Sequence, residues 1–429
     1  MLRYALSALV CLLLLTCQSP GNDHVLFTPS PEQESQESLP YTTQSFDRLY
    51  DKVLGALVGS AIGDAMGAPT EMWSREQIHL EYGWVDSLDD MVREPSAEGT
   101  WAFNLPAGGT TDDTRWKVLT ADYYLAKPGE FYATTGPEPA RFAQYIVDQY
   151  NSELRRMKQI ESFDPAPLEA QMRRINWLQE WAQVAKPFGE NDLRAYEKNL
   201  HRFYGGEMVC AGILYAPLLG IIYPDAPQNA YRTGYDLALF DLGYARDITG
   251  LTAALVAAAM ADDATPSSIL RTLRDIDPEH YFASRLVGRS SYRIYREALS
   301  IADGVAGLPA VDYQKQAFAR LDELKQDFPF HAGEIHLINL TALMVSQWNF
   351  RDALSFVINY GRDNDTVGAV TGAILGAYYG YDKLPPDLTQ TVLSTNKNRL
   401  GIDLEDLARQ LTDTMMKVGV SKPHGTNTN

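Results

Sequence analysis

Residues 53–69 read VLGALVGSAIGDAMGAP, with glycine at 55, 59, 63 and 67, and residues 367–382 read VGAVTGAILGAYYGYD, with glycine at 368, 372, 376 and 380. On an α-helix a four-residue step advances about 400°, so each set forms a slowly turning stripe that carries no side chains. A glycine inside a helix costs roughly 1 kcal/mol relative to alanine, and four of them cost several. Close backbone approach is the gain that offsets this cost. Each stripe could meet some other helix, but the favoured reading is that the two pack against one another, with i±4 ridges crossing near −50°.

The rest of the chain reads as helix as well. LTAALVAAAMADD (251–263) and REALSIADGVAG (296–307) are rich in Ala and Leu, and strand-like alternation is scarce. Proline and glycine clusters at 127–129, 136–139 and 385–386 punctuate the helical runs. No repeat of 20–50 residues is visible, and no linker stands out between 45 and 417. The expectation is one large all-α domain.

Composition narrows the function. The 429 residues carry a formal charge of −18, which argues against nucleic acid as a partner, because phosphate binding needs a basic surface. The N-terminus reads as an export signal. Arg3 precedes an apolar run to Leu15 that is short for a membrane span, and Thr16-Cys17 follow. Leu14-Leu15-Thr16-Cys17 resembles a bacterial lipoprotein signal ending at Cys17, with a plain secretory signal as the alternative. Residues 18–44, rich in Ser, Pro, Gln and Glu, then form a disordered tether, and 418–429 a flexible tail. Ser19, two residues into such a mature chain, is not the aspartate that retains many lipoproteins in the inner membrane, so the outer membrane or periplasm is expected. With Cys11 removed and Cys17 lipidated, Cys210 stands alone in MVCAGILYAPLLG and reads as a core residue.

The chemistry is concentrated in acidic motifs beside the glycine helices. Glu71 follows the first helix after Pro69, Asp112-Asp113 precede the helical RWKVLTADYYLA, and Asp363 and Asp365 precede the second glycine helix. Capping is the plain reading, since Asp and Thr are good caps and acids suit a helix N-terminus. One cap needs one side chain, however, and these motifs supply more oxygens than that. If Glu71, Asp112, Asp113, Asp363 and Asp365 converge, their mutual repulsion raises their pKa values unless cations intervene. Two divalent ions would supply that charge, and all-oxygen ligands select Mg²⁺, Mn²⁺ or Ca²⁺ over zinc. The hydroxyls of Thr111 and Thr366 could complete the shells, while Asn364 would point elsewhere.

Rival chemistries find little support. His331 and His336 lack the i, i+4 spacing of a zinc-protease helix, and there is no Gly-x-Ser-x-Gly elbow or phosphate loop. A thiol nucleophile is not expected in the apolar surroundings of Cys210. Arg285, Arg289, Arg293 and Arg296 recur largely at helical intervals and read as a solvated helix face.

Three segments together, GALVGSAIGDAMGAPTE (55–71), GGTTDDT (108–114) and GRDNDTVGAVTGAILGAYYG (361–380), resemble the ADP-ribosylglycohydrolase family over about 45–415. The resemblance implies a single large orthogonal helical domain with a binuclear Mg²⁺ or Mn²⁺ centre in a central cleft. It implies Glu71, Thr111, Asp112, Asp113, Asp363, Asp365 and Thr366 as metal ligands. Asp113 or Glu71 would be the catalytic carboxylate that orients or deprotonates water. It further implies hydrolysis at ribose C1″ of an ADP-ribosylated protein or small ribosyl glycoside, by a chain expected to be a monomer. The substrate loop of many relatives resembles GGEMVCAGILYAPLLG (205–220), where Gly206 is a candidate contact and Val209 replaces an arginine. Gly243-Tyr244-Ala-Arg-Asp247 resembles a second substrate stretch, making Tyr244 and Asp247 candidates. A non-catalytic lipoprotein that holds ADP-ribose or a related sugar nucleotide is the alternative function. A purely structural role for the acids and glycines is the third.

Overall fold

A computed structural model describes residues 44–90, 105–131, 138–160 and 165–420. The signal read at 1–17, the tether up to residue 43 and residues 421–429 lie outside these ranges. The described residues form seventeen α-helices and no strand, only a single bridge between Val209 and His331. The first six helices are α1 (Phe46–Gly67), α2 (Arg75–Glu81), α3 (Asp112–Ala126), α4 (Pro139–Lys158), α5 (Pro165–Gly189) and α6 (Leu193–Leu200). Then come α7 (Ala216–Ile222), α8 (Pro227–Leu237), α9 (Ala245–Ala259), α10 (Pro266–Asp275), α11 (Ser290–Val305) and α12 (Ala310–Leu324). The last five are α13 (Ala332–Val345), α14 (Phe350–Tyr360), α15 (Asn364–Tyr379), α16 (Pro386–Thr395) and α17 (Leu404–Val420). None of the described helices is long and apolar enough to cross a membrane.

The two glycine helices, α1 and α15, meet as the stripes predict. A Cβ added to Gly55 would lie 2.5 Å from Gly376 O, one at Gly59 would overlap Gly372 O, and one at Gly368 would lie 2.5 Å from Gly63 O. The partners run in opposite directions along the chain, so the helices are antiparallel. Three successive pairs over eight residues keep the backbones together for about 12 Å at a rise of 1.5 Å per residue.

From Lys52 onward α1 is buried on all sides, as are α15 up to Ala377 and nearly all of α9, and most of α13 is buried with them. Such helices must be apolar around their whole circumference, which their Ala- and Leu-rich composition allows. Lys52 is one exception. Its buried amine donates to Ala259 O (2.9 Å), Ala261 O (3.1 Å) and Tyr378 O (3.2 Å), satisfying carbonyls where α9 and α15 end. A cation at two helix C-termini offsets part of its own desolvation. Burial still lowers the Lys52 pKa to about 8.

One expectation fails here. Arg285, Arg293 and Arg296 are exposed, but Arg289 is buried. It lies just before α11 and clasps Asp247 through two bonds, of 2.6 and 3.0 Å, while also donating to Leu273 O and Ile276 O. A planar guanidinium facing a buried carboxylate neutralises both charges, which outweighs the solvation that helical spacing alone suggests.

Candidate metal centre

The glycine seam leads directly into an acidic cluster. At its end, a Cβ on Gly67 would overlap the backbone of Asp365, so only glycine lets the end of α1 touch the start of α15. A single 3₁₀ turn over Ala68–Thr70 follows, and Glu71 comes next. The turn carrying Glu71 is braced against the turn carrying Asp363. Met72 N donates to Arg362 O (2.7 Å), and Arg362 N donates to Trp73 O (2.9 Å). Met72 and Arg362 both adopt positive φ, at 65° and 70°, a costly conformation for side-chain-bearing residues that here aligns the two turns. The Arg362 guanidinium is fixed in turn by Glu334, at 2.6 and 2.9 Å.

The third acidic segment is held by Asp64, the only charged residue in the apolar run 53–68. From inside α1 its carboxylate accepts the N–H and hydroxyl of Thr111 (both 2.9 Å) and those of Thr114 (3.0 and 2.6 Å). These bonds staple the first turn of α3 onto α1. The Thr111 hydroxyl also lies 3.2 Å from Asp365 Oδ2, and Thr366 donates to Asp113 Oδ2 at 3.0 Å. Lys117, buried one turn further along α3, donates to Asp113 O (2.8 Å) and lies 3.4 Å from Asp113 Oδ1.

Glu71, Asp363 and Asp365 are all buried, and their ligand oxygens lie within 4.8 Å of one another. Together with Asp112 and Thr366 they line a cleft. The rest of its lining is mostly apolar and includes Trp181, Tyr204, Val209, Leu214 and Phe330. The carboxyls resist ionisation here. Burial, then the charge of Asp113, pushes Asp112 up to about 7. The same two causes take Asp64 to about 6, although its hydroxyl and amide donors pull the other way. Burial, then the charge of Asp365, raises Asp363 well above the usual carboxylate range, and burial, then the charge of Glu71, does the same to Asp365.

Capping does not account for this cluster. Asp363 occupies the N-cap position of α15 but its side chain makes no capping bond, and Thr111, not an aspartate, caps α3. Asp365 Oδ1 is buried and takes no hydrogen bond. An orphaned carboxylate oxygen in an all-oxygen set fits a hard divalent cation, which would supply the missing partner and let the acids ionise.

The structure thus gathers Glu71, Asp112, Asp363, Asp365 and Thr366 around one cleft, with Thr111 and Asp113 bonded to them from behind. Asn364 points away, donating to Thr70 Oγ1 and Ile358 O. Tyr244, Asp247 and Gly206 are not among the residues lining this cleft. Asp247 is committed to Arg289, Tyr231 and Ser291, Tyr244 stands beside His331, and Gly206 closes an exposed turn. Cys210 is buried but is more than core filling. It lines the cleft with Sγ 3.6 Å from Asp363 Oδ2. Burial, followed by the charge of Asp363, pushes its thiol up, which agrees with the expectation that it is no nucleophile. Sequence reasoning passed over Asp64, whose signal was a lone charge in an apolar helix. It also missed Trp181, Tyr204 and Phe330, for which no signal exists in their local sequence.

A family model described as ADP-ribosylglycohydrolase matches residues 45–420. Over 91 residues the chain is 29% identical to ADP-ribosylhydrolase ARH3 of Gallus gallus, covering 21% of each protein. Over 66 residues it is 41% identical to ADP-ribosylarginine hydrolase Tri1 of Serratia proteamaculans (strain 568), covering 15% of this chain and 18% of that one. These matches span about a fifth of each relative's length. A solved chain from an ADP-ribosylglycohydrolase-related protein complex covers 86% of this chain and 100% of its own length, with a TM-score of 0.53 at 19% identity, a likeness of fold.

Proposed function

The chain belongs to the ADP-ribosylglycohydrolase family, and on that premise we propose that it is a metal-dependent glycoside hydrolase acting at the ribose of an ADP-ribosyl or related substrate. The observation that carries this reading is the buried meeting of Glu71, Asp363 and Asp365, with Asp365 Oδ1 left without a hydrogen bond. Glu71, Asp112, Asp363 and Asp365 would hold two Mg²⁺ or Mn²⁺ ions, assisted by Asp113 and the hydroxyls of Thr111 and Thr366. Bound there, such ions supply the charge that ionises the carboxylates and polarise water and the ribose hydroxyls.

The chain's own groups then divide the work. Glu71 lines the cleft and Asp113 does not, and Asp113 is held by Thr366 and Lys117. Glu71 therefore takes a proton from the attacking water and passes it to the departing acceptor atom, and Asp113 orients its neighbours. The remaining carboxylates stabilise the positive charge that develops at the ribose ring in an oxocarbenium-like state. Trp181, Tyr204 and Phe330 offer ring faces against which the sugar or its acceptor packs, and they exclude water.

Treatment with chelator is expected to lower release of ADP-ribose from ADP-ribosylated arginine or serine peptides by at least about a hundredfold, with Mg²⁺ or Mn²⁺ restoring it. Hydrolysis that survives complete metal removal overturns the proposal. We also propose that the protein is exported and tethered by lipid on Cys17 in the bacterial outer membrane or periplasm, where it meets its ADP-ribosylated protein or small ribosyl glycoside. Replacing Cys17 with serine should then move the protein from the detergent phase to the aqueous phase in phase partitioning. Equal partitioning of both forms would exclude the anchor.

A further inference from the structure

Cys210 is held beside the carboxylates by its backbone. Its N–H donates to Phe330 O at 3.0 Å, next to the bridge between Val209 and His331. The side chain therefore stands on the cleft wall, where Sγ lies 3.6 Å from Asp363 Oδ2. In the same cleft the buried Asp365 Oδ1 has no hydrogen-bond partner. A sulfur next to carboxylate oxygens is a mixed donor set. Thiolate favours borderline-soft ions such as Zn²⁺ and Cd²⁺, whereas carboxylates alone suit Mg²⁺ and Mn²⁺.

We propose that Cys210 makes the centre a capture site for thiophilic divalent cations, one of which binds between Cys210 Sγ and the Asp363 carboxylate, excludes Mg²⁺ or Mn²⁺ and stops hydrolysis. The inference rests on the reading of these carboxylates as a cation site. Binding breaks the S–H bond and forms a sulfur–metal bond, the proton leaves to solvent, and nothing is oxidised or reduced. The cleft thus carries its own inhibitory ligand, built into its wall beside Asp363.

Cadmium is the probe, because its bond to thiolate gives an ultraviolet charge-transfer band. The full chain is used with Cys11 and Cys17 replaced by serine, which leaves Cys210 as its one thiol. Metal-free protein titrated with Cd²⁺ should show one saturable band, absent after Cys210→Ser. Asp363→Asn should weaken cadmium binding at least about tenfold, a loss typical of disturbed metal ligation. Excess Mn²⁺ should compete with the band, which keeps the test decisive if Asp363→Asn fails to fold. No band, or a band indifferent to both Mn²⁺ and Asp363→Asn, overturns the inference. Because this readout needs no substrate, a band in a protein that hydrolyses nothing supports the inference while the hydrolase reading fails. An active enzyme without the band does the reverse.

Discussion

Asp365→Ala should lower ribosyl-bond hydrolysis by about three orders of magnitude at saturating Mn²⁺, while the helical circular dichroism stays as in the parent. Removing a single group that stabilises charge in a transition state costs roughly 10²–10³ in rate, and Asp365 belongs to the buried triad that would hold the cations themselves. A second signature separates this from simple damage. Asp365 sits among Glu71, Asp113 and Asp64, whose charges raise its pKa further after burial has done so. In the metal-free protein the pKa values of Asp64, Asp112, Asp113, Asp363 and Asp365 are raised above their unfolded values, so the folded state binds more protons. Stability therefore falls as pH rises through the range between the ordinary carboxylate pKa and about 6 to 7, where Asp64 and Asp112 titrate. Deleting one member relieves the repulsion. The metal-free variant should accordingly melt a few degrees higher than the metal-free parent at pH 8, with a smaller difference at pH 5. Thermal melts at both pH values and initial rates with Mn²⁺ check this. Retention of more than a tenth of the parent activity would remove Asp365 from the machinery.

Gly372→Ala should cost at least about 4 kcal/mol, in the range reserved for a disrupted core. The added methyl would overlap Gly59 O, which is backbone inside a buried helix and has no flexible end to swing aside. Overpacking usually costs 1–3 kcal/mol because side chains yield. Here α1 and α15 must part along their seam, and a loss of this size is a large share of the 5–15 kcal/mol that holds a typical domain together. Gly304 is the control. A Cβ there meets nothing within 4 Å, and the residue lies in α11, so alanine should be neutral or stabilise by up to about 1 kcal/mol. Urea unfolding of the two variants compares them directly. Equal midpoints would mean that the seam contributes nothing.

These two predictions also mark what could be read before any coordinates. The glycine stripes announced their contact because a repeated helix-breaking residue needs a compensating approach, and a four-residue period names the face. The acidic motifs pointed to a cluster because they exceed what caps require, and Glu71, Asp363 and Asp365 do meet. Arg289 was misread because helical spacing reports position on a helix, while its partner Asp247 lies 42 residues away in the chain. Trp181, Tyr204 and Phe330 come to the cleft from separate segments, and no local pattern distinguishes them from ordinary core aromatics. Asp64 could have been found, because a single acid in an otherwise apolar buried helix demands donors, and Thr111 and Thr114 supply them.

The two turns that brace one another through Met72 and Arg362 join positions far apart in synthesis order: Glu71 and Asp363 are separated by 292 residues (363 − 71). No fragment emerging early from the ribosome contains both. On the proposed function, ion affinity and hydrolysis would therefore arrive together and late, once the chain has been made past Asp365 and folded. A truncated product would be inert instead of weakly active.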